Sequence, residues 1–209
     1  MKNSILILTI LFSGLSLFGQ EAEKAETKAK FGMSFQAKIG YATLASSGRV
    51  DLQGTANAGD MLIYYKISEL TSISTGIGLL EYRANGTTAG ESYSLDQTHL
   101  RIPLYMNFSM SLFEDALSDK LQAYAGIGFY ANTLLEEEVK SLNASQTHKD
   151  QGWNGGYAFQ VGMKFGISRD FNFGIGFETQ SDFSAMKKNN TERKFEGIST
   201  VNFQLIYNF

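Results

Sequence analysis

From Phe31 onward, apolar and polar residues alternate one for one: Phe31, Met33, Phe35, Ala37, Ile39 and Tyr41 fall on one face, and Gly32, Ser34, Gln36, Lys38 and Gly40 on the other. Successive side chains of an extended chain point to opposite faces, so a period of two over this length predicts a strand and not a helix. The same pattern recurs through Met61 to Ile67, Ile73 to Leu79, Leu100 to Phe108, Leu121 to Phe129, Tyr157 to Ile167, Phe171 to Phe177 and Val201 to Phe209. Eight strands are therefore predicted, an even number. Between the first and second, third and fourth, fifth and sixth, and seventh and eighth lie long connections, expected at Ala45 to Ala58, Ala84 to Asp96, Glu136 to Trp153 and Ser184 to Arg193. On the other end the turns are short at Glu69 to Thr71 and Ser168 to Asp170, and longer at Ser111 to Asp119, where a helical turn has room to form. Short turns on one end and long loops on the other are the layout of an up-and-down transmembrane β-barrel.

Alternation alone leaves open which face points inward. A soluble lipocalin-like barrel that binds a small molecule would turn the apolar face in. Three features favour the inverted arrangement. Several segments run past ten residues, the length a tilted membrane strand needs. The polar face carries glycine at alternate positions, including Gly76, Gly78, Gly126, Gly128, Gly162, Gly174 and Gly176, and small residues suit the narrow interior of eight strands. The apolar face places Tyr41, Tyr157, Phe171, Tyr207 and Phe209 near strand ends, where interfacial aromatic girdles sit. The expectation is an all-β fold, an eight-stranded antiparallel up-and-down transmembrane β-barrel.

The head of the chain agrees with export. Lys2 precedes the uncharged run Ile5 to Phe12, followed by Ser13, Gly14 and Ser16, which is the order of a signal peptide. The run is shorter than the roughly 20 apolar residues of a spanning helix, which argues against an uncleaved anchor. Cleavage is expected near Gly19, giving a signal peptide at 1–19, a short polar segment at 20–30 and the barrel at 31–209. About 190 residues remain, one domain's worth. Cysteine is absent, so disulfides, a lipidated cysteine and thiol chemistry are excluded. A net charge of −3 gives no basic footprint for nucleic acid. With 21 glycines, one proline and 13% aromatics, the composition disfavours helical bundles and disorder.

The stretch Leu100-Arg101-Ile102-Pro103-Leu104, holding the chain's one proline, followed by Tyr124-Ala125-Gly126-Ile127-Gly128 and a terminal Phe209, resembles the PorT-like outer-membrane-protein β-barrel domain family over essentially Phe31 to Phe209. The resemblance implies a bacterial outer-membrane barrel. A founding relative is associated with protein secretion across the envelope, a role no residue here marks. Pro103 itself removes a ladder donor, which a strand tolerates at a bulge or irregular pairing.

Candidate chemistry lies on the face predicted to line the lumen. Lys38, Lys66, Arg101, Lys164 and Glu178 are its charged members, with Gln36, Tyr124, Gln160, Asn172, Asn202 and Gln204 among them. Buried charges must be paired or hydrogen-bonded, so a polar network of Lys38, Arg101, Gln160, Lys164, Glu178 and Gln204 is expected. Arg101 and Glu178 are placed to pair across the lumen, with Lys38 competing and Lys66 and Lys164 reaching water at the periplasmic end. Filling by side chains favours a structural plug over an ion path. His99, expected at the solvated rim of the fourth strand, and His148, in a loop, have Ser92, Asp96 and Asp150 nearby in sequence without a recognised catalytic spacing. Two distant histidines supply no metal-ligand spacing either, and no cofactor is expected. Glu136 to Glu138 and the basic pairs Lys187-Lys188 and Arg193-Lys194 read as solvated loops that neutralise each other, with lipid phosphates as a further partner of the basic pairs.

Taken together, a non-enzymatic outer-membrane barrel with a structural, adhesive or envelope-accessory role through its extracellular loops is expected. A soluble binding barrel is the alternative and an outer-membrane barrel enzyme the third. Expected partners are outer-membrane lipid, the barrel-insertion machinery reading Tyr207 and Phe209 as a C-terminal assembly signal, and an unidentified envelope protein.

Overall fold

The computed structural model describes residues 30–46, 51–88, 91–113, 120–141, 145–149, 152–168, 170–188 and 191–209. The expected signal peptide, the polar segment up to residue 29 and the possible helical turn at 114–119 lie outside the described residues. Eight long strands form the wall: β1 (Phe31–Ser46), β2 (Leu52–Lys66), β3 (Thr71–Thr88), β4 (Glu91–Ser111), β5 (Leu121–Ser141), β7 (Trp153–Gly166), β8 (Phe171–Asp182) and β10 (Thr191–Asn208). Two short strands ride on them, β6 (Ser145–Lys149) on β5 and β9 (Met186–Lys188) on β10. All pairings are antiparallel, and β10 pairs back onto β1, so the wall is closed and its long strands have no free edge where a second chain could pair.

Followed through Tyr41, Ser199, Thr179, Phe159, Ile127, Met106, Ile73 and Tyr65, the ladder returns to β1 at Phe31, ten residues from its start. With eight strands this stagger sets a tilt of roughly 40°. The outward face from Phe31 to Tyr41 is then roughly 25 Å tall, the height of a lipid-facing band. Around the wall that band exposes Ile63, Ile77, Leu104, Ile127, Phe159, Ile175 and Leu205, while Gln36, Arg101, Gln160 and Glu178 are buried inside. This orientation excludes the soluble lipocalin-like arrangement.

The strands outrun their apolar bands. On β3, Ile73, Ile77 and Leu79 face out and Ser74, Gly76 and Gly78 face in; above them the chemistry inverts, with Glu81, Arg83 and Asn85 outside and Leu80, Tyr82 and Ala84 inside. The side-chain period is unbroken; only the solvent outside changes, from lipid to water. The inner apolar residues pack with Ala42, Leu44, Leu95, Phe195 and Ile198 into one core. The connections expected at Ala45 to Ala58, Ala84 to Asp96 and Glu136 to Trp153 are thus largely strand, an extracellular lobe with a water-soluble pattern; their polar outward residues gave them the composition of loops.

Two bulges and one proline shape the wall. The register slips at Thr43/Leu44 against β10 and at Thr98/His99 against β5. Pro103 keeps its register, but the β3 ladder is interrupted between the Thr75–Leu104 and Gly78–Arg101 pairs. Proline has no N–H to give there, and the Thr75 hydroxyl donates to the Pro103 carbonyl at 2.8 Å.

Candidate functional site: the filled lumen

At mid-height the lumen holds a buried ion cluster. Lys38 Nζ lies 2.8 and 2.9 Å from the Glu178 carboxylate oxygens and 2.6 Å from Asp60 Oδ2. Strand geometry explains the choice. Glu178 is laddered through Thr200 to Gly40, so Lys38, one inward position below a residue with no side chain, reaches along the wall to it. Asp60 pairs with Gln36 on the other flank of β1, diagonal to Lys38. Tyr105 Oη donates to Glu178 Oε2 at 3.3 Å, and Gln180 donates to the other carboxylate oxygen.

Arg101 does not make the pair with Glu178 expected from the sequence. Lys38 occupies that carboxylate, and Arg101, laddered between Gly78 and Asn132, stacks on the Tyr130 ring with Cζ 4.6 Å from its centroid. Among the described residues its guanidinium nitrogens have no hydrogen-bond partner; Asp60 and Glu178 are the acids that balance its charge.

The remaining expected members fall into separate groups. Gln204 Nε2 donates to Tyr124 Oη at 2.7 Å and to Asn202 Oδ1 at 3.1 Å. Gln160 donates to Asn107 Oδ1 at 2.7 Å. Nearer the periplasmic end, Lys164 donates to Ser109 Oγ at 2.9 Å beneath the Tyr124 ring, and Lys66 to Asn208 Oδ1 at 3.1 Å. Tyr207 and Phe209 pack edge to face, 5.2 Å between centroids, on the outer surface at the end of β10.

Glycines make room for these long side chains. A Cβ on Gly128 would meet the Tyr105 ring at 2.5 Å, one on Gly156 the Tyr130 ring at 2.3 Å, and one on Gly176 the Tyr124 hydroxyl at 2.3 Å. Each tyrosine lies along the inner wall over the bare positions of the strands beside it.

A second polar group closes the top. Arg193 Nε and Nη2 donate to Glu137 at 3.0 and 3.1 Å, joining β10 to β5, and Gln97 Nε2 donates to the same carboxylate at 2.5 Å. Burial would raise the Glu137 carboxyl; the hydrogen bonds and charge of Arg193, with Gln97, hold it below the usual carboxylate range. Arg193 therefore points inward and does not join Lys187 and Lys194 as an outward basic patch; Lys187 is itself 2.8 Å from Glu192.

His99 belongs to this inner group. Expected as a solvated rim residue, it is fully buried because strand β4 continues well above it. Its Nδ1 is 3.0 Å from Asn132 Oδ1 and its Nε2 3.2 Å from Gln97 Oε1. Asp96, one residue from Gln97, faces outward against Arg83; Ser92 is exposed near the hairpin tip and His148 is exposed on β6. Asp150 lies outside the described residues. His99 is thus inside the wall, apart from the outward Asp96 and the exposed Ser92 and His148. Asp60, Tyr130, Asp182, Glu137 and Gln97 are lumen residues that the sequence reading missed, while Tyr105 falls on the inward face of Arg101 but was not counted in the network.

No protein-family model and no curated protein matches the chain. Solved structures do match. Neisserial surface protein A superimposes with a TM-score of 0.50 at 12% identity, over 85% of this chain and 97% of that one. The fold is that of an outer-membrane β-barrel. The attachment invasion locus protein Ail of Yersinia pestis gives a TM-score of 0.42 at 10% identity, covering 87% of this chain and 100% of its own. OprG of Pseudomonas aeruginosa gives 0.42 at 10% identity, covering 87% and 98%.

Proposed function

We propose that this chain is a non-enzymatic protein of the bacterial outer membrane, a rigid scaffold that presents its extracellular lobe for a structural, adhesive or envelope-accessory role. The observation that carries this reading is the doubly closed interior: the Lys38–Asp60–Glu178 cluster at mid-height and the apolar core of Leu80, Tyr82, Leu95 and Phe195 above it. Eight strands leave room for side chains and little else, so the useful surface is outside. Engagement of both His99 ring nitrogens leaves that residue no free lone pair for general-base work. Neisserial surface protein A bears the name of a surface protein, in keeping with display as the purpose of such a scaffold. PorT-like family membership is the finer assignment that Leu100 to Leu104 and Tyr124 to Gly128 support. Tyr207 and Phe209 serve as the C-terminal signal for the barrel-insertion machinery, and outer-membrane lipid surrounds the band.

The purified protein in a planar bilayer tests the closed scaffold. Silence at moderate voltage is expected; steady ion conductance overturns the reading and makes the lumen a pore.

A further inference from the structure

The outward band is unevenly filled, and across β2, β1, β10, β8 and β7 it opens into a groove. Below it, Phe173, Ile175 and Phe203 are 37, 39 and 39% exposed, shielded by their neighbours, whereas Ile39, Tyr41 and Phe177 stand 61, 73 and 67% exposed. Between them the outward residues of β10 are small, Ser199 and Val201, and a groove of about 620 Å³ runs across β2, β1, β10, β8 and β7. That volume falls within the range of small-molecule sites.

The strand register divides the groove by chemistry. Its lower row, Asn57, Ile39, Val201, Phe177 and Val161, follows one ladder line and is apolar from Ile39 onward. The next row up, Thr55, Tyr41, Ser199, Thr179 and Phe159, bears a hydroxyl at every position but the last. Both rows lie at the upper margin of the band, where lipid gives way to water. Among the outward side chains lining the groove none is charged; the Glu178 side chain faces the lumen, where Lys38 holds it. Hydroxyls facing lipid are costly without hydrogen-bonding partners, and each can both donate and accept.

We infer that this groove is a binding site for one outer-leaflet glycolipid. An acyl chain lies along Ile39, Val201 and Phe177, and the sugar hydroxyls of the headgroup bond to Thr55, Ser199, Thr179 and the Tyr41 phenol. A row of neutral donor–acceptor groups selects sugar hydroxyls over a phosphate, which would call for cations.

The full-length protein is tested in nanodiscs of phosphatidylethanolamine and phosphatidylglycerol doped with a diglucosamine-headed lipid of the same acyl chains, counting retained lipids by native mass spectrometry. One glycolipid per barrel is expected, retained roughly tenfold over phospholipid. Val201→Trp fills the apolar floor and should abolish retention, while Leu205→Trp, on the filled part of the band, should not. Ser199→Ala with Thr179→Val should erase the preference for the sugar headgroup with heat-modifiable gel migration intact. Equal retention of both lipid classes by the unaltered protein, or unchanged retention by Val201→Trp, overturns the assignment.

Discussion

At the residue scale, the ion cluster distinguishes two ways of breaking it. Glu178→Ala leaves Lys38 with Asp60; Lys38→Met strands two facing carboxylates, with Arg101 as their nearest cation. Breaking a buried pair costs about 3–5 kcal/mol, so Glu178→Ala should fall toward the lower end and Lys38→Met toward the upper, measured as urea midpoints in lipid vesicles. The reverse order would mean that Arg101, not Lys38, organises the acids. Glu137 predicts a pH dependence. Its carboxyl is held below the ordinary range in the folded lobe, so the folded state keeps it ionised where the unfolded chain would protonate it. The stability it contributes is present above the unfolded carboxylate range and is lost as pH falls through the folded value. Acidification should therefore raise hydrogen exchange at the β5 and β10 tips in the unaltered protein, and that acid-sensitive step should be absent in Glu137→Gln.

At the element scale, the inversion along each strand makes the consequence of a charge depend on height and face. Leu104→Lys puts a cation at the middle of the lipid-facing band and should cost about 2–4 kcal/mol, whereas Thr55→Lys, at or above its margin, should cost about 0–1 kcal/mol; unfolding in vesicles of fixed lipid measures both. Equal costs would remove the membrane boundary from where Leu79 gives way to Glu81. The same inversion explains what the sequence disclosed. Period two placed the eight wall strands and their inward faces, because lipid, water and core each reward alternation. It hid the upper halves of the strands, since Thr55, Asn57, Glu81 and Arg83 read as loop composition when the outer solvent is taken to be lipid throughout. Asp60 was lost this way: it shares the inward parity of Leu62 and Tyr64 but lies just before the apolar run that marked the second strand. Arg193 and His99 are harder. Arg193 lies past the bulge opposite Thr43/Leu44, where the inward positions of β10 shift from Ile198 to Phe195 and spacing no longer reports the face; His99 keeps the inward parity of Arg101 but lies beyond the apolar run that marked the fourth strand. Partner choice, Lys38 rather than Arg101 for Glu178, follows from the bare Gly40 position and from inter-strand register, which alternation does not encode.

At the scale of the whole molecule, the chain joins a membrane barrel with a polar, glycine-socketed interior to a lobe with an apolar interior, on the same continuous strands. Phe195 is the centre of the second part, fully buried and edge-on to Tyr82 at 5.4 Å and to His99 at 5.2 Å. Phe195→Ala should cost about 3–5 kcal/mol locally. If the lobe and barrel are separate cooperative units, opening the lobe need not open the barrel, because the barrel's closure rests on the β1–β10 ladder from Gly32 to Gly40 and the band around it. Protease added outside proteoliposomes should then cut the β3–β4 and β5–β6 hairpins of the variant and spare those of the unaltered protein. Heat-modifiable migration of the protected barrel should persist. Loss of heat-modifiability together with hairpin cleavage would show that the strands transmit the defect across the membrane boundary and that the two interiors fold as one.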